Sequence, residues 1–286
     1  MYAAADSALQ RGAYSEAARR FEELDRDHPY APEARRAVVM AAYSYYKASK
    51  LPEAIVSAQR YTTMHPGTKE AALAHHIIAS AHFDEIREPG RDQTATRKAL
   101  IELKHLRNRY PDSPYSKQAE NRIRIAEDVL AASEMNVGRF YLKQNNYVAS
   151  INRFKTVVTE YQTTVHVEEA LFRLIEANMA LGVLPEAQAA AAVLGHNFPN
   201  SKWYANGHAL LKNNGVAPQS GGWLAQAWKS ISPGQQKAPA VAPQPVPQGL
   251  PPPDQLPAPK KPSASDIPTA STNSKPVMGL GQAALQ

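Results

Sequence analysis

Between Tyr2 and Lys212 no run alternates apolar and polar positions for long enough to read as a strand, and Ala dominates the apolar set. Small apolar residues suit helices that pack closely, and glycine is sparse before residue 212, so the pattern predicts helix throughout this region. A spacing then recurs. Ala17 lies twelve residues before Pro29, Ala54 twelve before Pro66, Ala99 twelve before Pro111 and Ala187 twelve before Pro199. A fifth position, Ser150, reaches Gln162 where proline is expected, so that unit is degenerate.

The residues around this spacing describe a hairpin. Upstream of each small residue stands a turn: "RGAYSEA", "ASKLPEA", "QNNYVAS", "LGVLPEA". Gly12, Ser49, Asn145 or Gly182 ends a first helix there, and Tyr14, Leu51, Tyr147 or Leu184 pins the corner. The small residue lets the second helix approach the first, and Phe21, Ala58, Leu103, Phe154 or Ala191 follows one turn later. Proline then stops the second helix, because it cannot sit inside one. This is a tetratricopeptide-like pattern, whose typical unit is a helix–turn–helix of about 34 residues. Unit spacings of 37, 45 and 51 residues show insertions: "IREPGRDQTAT" (Ile86 to Thr96) and a long helix from about Ser116 to Asn145. The repeated "RYPDSPYSKQA", "NFPNSKWYANG" and "DHPYAPEARRA" are unit boundaries rather than catalytic motifs. The expected fold is all-α, a solenoid of about five tetratricopeptide-like helical hairpins over residues 1–215.

Fourteen of the 23 prolines fall after residue 212. Residues 232–286 read as a disordered Pro-rich tail, since that composition buries too little apolar surface to offset chain entropy. Residues 216–231 read as a linker with a short amphipathic helix, because Trp223, Leu224, Ala227, Trp228 and Ile231 fall on one helical face.

Charge changes the picture little. Residues 1–212 hold 27 Lys and Arg against 24 Asp and Glu, interleaved as in "RRFEELDRDH", which is how solvated helix faces read rather than a nucleic-acid footprint. With no cysteine there is no disulfide, thiol nucleophile or thiolate metal site. No stretch approaches the roughly 20 apolar residues of a membrane span, and the start, "MYAAADSALQRGAY", does not read as a signal peptide. His75, His76 and His82 share a helix without the i, i+4 spacing of a helical zinc site, and no HExxH, G-x-S-x-G, Walker A or dinucleotide motif occurs. The reading is no enzyme, no metal and no cofactor. What remains is surface. Stacked hairpins form a groove for extended peptides, with Tyr43, Tyr46 and Tyr61 and the His28–Pro29–Tyr30 corner as its candidate lining.

The units "AYSYYKASKLPEAI", "GRDQTATRKA", "NRYPDSPYSKQA" and "GRFYLKQNNYVASINRF" stand in an order that resembles the BamD family, lipoproteins of the outer-membrane β-barrel assembly machinery. The resemblance covers about Tyr2 to Lys212. It implies a non-catalytic scaffold on the periplasmic face of the outer membrane of a Gram-negative bacterium. It also implies a grip on a POTRA domain of BamA by the C-terminal units, and contact with unfolded outer-membrane proteins by the N-terminal ones. Other lipoproteins of the complex are implied partners, and nucleic acid is not. Asn152 and Arg153 match the family stretch whose Arg pairs with an acidic POTRA residue. His28 departs from the aromatic often found there in the family. Family members carry a lipoprotein signal and an acylated Cys upstream of the first repeat, so the expectation is a leader before Met1 and membrane attachment through that lipid alone. The alternative reading is a soluble tetratricopeptide adaptor of cell-envelope or peptidoglycan machinery, which a lipobox Cys upstream would disfavour.

Overall fold

The computed structural model describes residues 1–216, so the expected amphipathic helix at 223–231 and the tail 232–286 lie outside the described residues. The described residues form eleven helices and no strand: α1 (Tyr2–Gln10), α2 (Tyr14–Asp27), α3 (Ala34–Lys47), α4 (Leu51–Met64), α5 (Lys69–Asp84), α6 (Thr94–Arg109), α7 (Pro114–Lys143), α8 (Tyr147–Glu160), α9 (Val167–Ala180), α10 (Leu184–Asn197) and α11 (Lys202–Asn213). Each helix packs on its chain neighbours, and α3 with α5, α5 with α7 and α9 with α11 also touch. This is the expected all-α solenoid: five hairpins, α1–α2 through α9–α10, closed by α11.

The spacing read from the chain has a direct structural meaning. Ala17, Ala54, Ala99, Ser150 and Ala187 all have no exposed surface, one in each second helix. Phe21, Ala58, Leu103, Phe154 and Ala191, one turn on, are buried as well. Each second helix ends in a residue held near φ −130°: His28, His65, Tyr110 and Phe198 before their prolines, at −136°, −136°, −130° and −133°. A residue before proline is kept out of the helical region by the ring, and these four hold ψ between 54° and 58°. Tyr161 takes −125° without any proline after it, so the degenerate unit keeps the same geometry through packing.

The turns inside the hairpins need a left-handed residue. Gly12 and Gly182 supply it at φ 77° and 75°, while Ser49 and Asn145 are forced to 58° and 56°. For a side chain with a Cβ that conformation costs about 1–2 kcal/mol; Asn tolerates it better than Ser. Ser49→Gly is therefore expected to stabilise the protein by about 0.5 kcal/mol, because relief of strain exceeds the added freedom of the unfolded chain. An upward shift in the midpoint of a denaturant titration checks this. The corner residues Tyr14, Leu51 and Tyr147 are half-buried, whereas Leu184 stays exposed.

At the boundaries, Ser113 and Ser201 cap α7 and α11, each accepting a hydrogen bond from the N–H two residues on (3.3 Å and 3.1 Å). Tyr115 then packs against the third unit and Trp203 against the last. The loop Glu85–Gln93 separates α5 from α6, as the insertion requires. Helix α7, 30 residues or about 45 Å, joins two cores. Its first half buries Ala119, Ile123, Ala126 and Leu130 against α5 and α6, and its second half buries Ala131 and Met135 against the C-terminal units.

Candidate partner and substrate surfaces

Helix α8 turns Ser150, Ile151, Phe154, Val157 and Val158 inward, which leaves Asn152 and Arg153 on the outside. Its start is held by Asn146, whose side chain accepts from the Ala149 N–H at 3.2 Å. Arg153 reaches back across the hairpin, donating through Nη1 to Glu134 Oε2 at 3.1 Å. The guanidinium side is 45% exposed, while the Glu134 carboxylate side is only 14% exposed. A sheltered acid thus presents a half-exposed cation in a set orientation. Val148, one turn before Asn152, is 62% exposed, and Phe140 at the end of α7 is 59% exposed. Both stand at the turn end of the α7–α8 hairpin. An exposed aromatic and aliphatic pair beside a charge is the make-up of a docking patch.

The N-terminal candidates do not form one compact site. Tyr30 is 99% exposed, with His28 and Pro29 beside it in the α2–α3 connection. Tyr43 and Tyr46 lie toward the other end of α3, nine and twelve residues, or roughly 14 and 18 Å, beyond its start. Tyr43 is half-buried under the Lys47 ammonium, 5.6 Å from its ring centre. Tyr46 donates to Asp84 Oδ2 at 2.8 Å, which ties α3 to the end of α5. Burial, and next that bond, push its hydroxyl pKa up, so it remains a neutral donor. Its neighbour Tyr45 is in the core and donates the other way, to Glu22 Oε2 at 2.7 Å.

Tyr61 departs from the expectation. It has no exposed surface and its hydroxyl is 2.9 Å from Thr68 Oγ1, with His65 against its ring. It fills the core between α4 and α5 and cannot line a groove. Its position facing the inside of the hairpin, one turn beyond Ala58, is what draws it in.

The structure does open a groove of mixed apolar and polar lining that the sequence reading missed. About 570 Å³ lies between Ile55 and Val56 of α4, Ile101 and Lys98 of α6 and His82 of α5. Val56 and Ile101 are both 65% exposed. The signal in the chain is an aliphatic residue on the outer face of two successive second helices, visible only once the two are known to be neighbours. Of the other α5 histidines, His76 stacks on Tyr115 at 4.7 Å and His75 turns to α6.

Sequence comparison places these surfaces in a family. The YfiO family model, described as an outer membrane lipoprotein, matches residues 1–194. The outer membrane protein assembly factor BamD of Caulobacter vibrioides is 40% identical over 218 residues, 76% of this chain and 72% of its own. BamD of Rickettsia prowazekii is 36% identical over 205 residues, 72% of this chain and 82% of its own. BamD of Neisseria gonorrhoeae is 31% identical over 214 residues, 70% of this chain and 79% of its own. With the matching model spanning most of the described solenoid, the chain belongs to the YfiO family of outer membrane lipoproteins, alongside these BamD proteins.

Proposed function

We propose that the protein is a non-catalytic scaffold of the outer-membrane β-barrel assembly complex, at the periplasmic face of that membrane. In this reading α7 and α8 hold a POTRA domain of BamA, and the N-terminal units receive unfolded outer-membrane proteins. The observation that carries it is the match of nearly the whole solenoid to proteins named outer membrane protein assembly factor. That match also weighs against the soluble adaptor reading.

The surfaces support this division of labour. Arg153, oriented by Glu134 and flanked by exposed Val148, offers a cation to an acidic residue with an apolar rim beside it. The groove between α4 and α6 sets Ile55, Val56 and Ile101 beside Gln59, Lys98, Glu85 and Glu102, suited to an extended chain that carries both aliphatic and polar side chains.

The test is a binding titration of the full chain against the purified POTRA region of BamA from the same organism. Arg153→Glu is expected to weaken binding by about 2 kcal/mol, mostly through faster dissociation, as when one partner of a hydrogen-bonded charge pair is lost. Unchanged affinity with Arg153→Glu would sink the assignment of that residue. No binding by either protein would overturn the scaffold reading.

A further inference from the structure

We infer that His75, Glu102 and His105 form a binding site for a divalent transition-metal ion of the zinc type. His75 comes from α5, and Glu102 and His105 stand three residues apart on α6, so they share one face of that helix. One ligand atom of each lies within 4.8 Å of the other two. In a tetrahedral zinc site, bonds of about 2.0–2.2 Å hold ligand atoms roughly 3.4 Å apart. Small side-chain rotations on two packed helices close that difference.

Contacts across the two helices already hold these groups together. His75 Nδ1 is 3.0 Å from Glu102 Oε2, which already brings two of the three groups into contact. The two imidazoles lie against each other at a tilt of 47°, with ring centres 4.3 Å apart. Histidine binds such ions through a ring nitrogen, and both rings stand at the site. His105 has ring contacts with His75 and Tyr110 but no hydrogen-bond partner among the described residues, so its nitrogens are open. Tyr110 closes one side, its hydroxyl donating to the Pro66 carbonyl at 2.7 Å. His105 itself is exposed, which leaves an entry path and a position for water. Two nitrogens and one carboxylate oxygen suit zinc, nickel or copper and not magnesium or calcium, which prefer all-oxygen shells. A bound ion ties α5 to α6 within the third unit, beside the boundary at Pro111.

No single-helix spacing announces this set. The i, i+4 rule looks for both histidines on one helix, whereas here the second comes from the neighbouring one. The inference does not depend on the scaffold reading, since it concerns a different ligand, although Glu102 also lines the groove between α4 and α6.

The experiment is calorimetric titration of the full chain, free of any added histidine tag, with Zn²⁺ and separately with Mg²⁺. One Zn²⁺ per chain is expected, with no heat from Mg²⁺. At about a hundred times the dissociation constant, Zn²⁺ should raise the melting temperature by roughly 5–10 °C. His105→Ala, at an exposed position, should keep the fold and weaken Zn²⁺ binding at least tenfold, and Glu102→Gln should weaken it too. His196→Ala, on the exposed side of α10, serves as the control and should bind as the parent does. Absence of Zn²⁺ binding, or equal binding by His105→Ala and the parent, overturns the assignment.

Discussion

Phe154→Ala is expected to cost about 3–5 kcal/mol, the range for removing a fully buried aromatic ring. The ring stands at the centre of the C-terminal core, between α7 and α8. Its edge also marks the closest approach of those helices. A Cβ added to Gly138 of α7 would lie 2.5 Å from Phe154 Cε1 and 2.9 Å from Cζ. Glycine is needed there for space, at ordinary helical backbone. Two opposing effects then meet at Gly138→Ala. Alanine gains about 1 kcal/mol of helix propensity, while overpacking an enclosed ring costs about 1–3 kcal/mol. The clash wins, since Phe154 has no exposed side toward which to move, and the substitution should destabilise.

In the Phe154→Ala background the obstruction is gone. Gly138→Ala should then stabilise by about 1 kcal/mol, so its sign reverses between the two backgrounds. Denaturant titrations of the four proteins measure this. If Gly138→Ala stabilises both backgrounds, the helices are not as close as described. Arg153 precedes Phe154 on α8, so Phe154→Ala should also loosen the arginine from Glu134 and weaken any partner held there.

The second large effect is a dependence of stability on pH through His76. The imidazole is mostly enclosed between α5 and α7, stacked on Tyr115 and near the Arg122 guanidinium. Burial, and then that positive charge, lower its pKa to about 4. In the unfolded chain it titrates near 6.5. Between these values the unfolded state holds more protons, so stability falls as pH drops below about 6.5 and levels off below about 4. The loss is about 2 kcal/mol by pH 5 and about 3 kcal/mol at the lower limit. His76→Phe keeps a ring against Tyr115 and has nothing to titrate. The difference in unfolding free energy between the parent and His76→Phe should therefore shrink or change sign from pH 7 to pH 5. A constant difference would mean that His76 is protonated as readily inside the protein as outside it.

Much of the fold was legible because its rules are local. A small residue is needed where two helices of a hairpin meet, a left-handed residue where the chain turns, and a non-helical one before proline. Ala17, Gly12 and His28 satisfy these within a few tens of residues of one another, and the same triple recurs. Ser150 with Tyr161 obeys the packing rule even where Gln162 replaces proline. The candidate surfaces were less legible. Tyr43, Tyr46 and Tyr61 look alike in the chain, yet one is capped by Lys47, one is tied to Asp84 and one is sealed in the core. Lys47 stands on the helix of Tyr43 itself, whereas Tyr46 and Tyr61 are set apart by Asp84 and Thr68 at the two ends of α5, which arrives later in the chain.

The order of helices, their ends and the hairpin repeat follow from the chain alone, since each depends on spacings within one unit. Which exposed groups meet depended on the packing of one unit against another. Glu134 sits nineteen residues from Arg153, His75 twenty-seven from Glu102, and Gly138 sixteen from Phe154, all on different helices. Whether two such side chains touch turns on the crossing of their helices and on shifts of an ångström or two. Helical periodicity defines the face of each residue but not the residue that face meets, and packing supplies that second half.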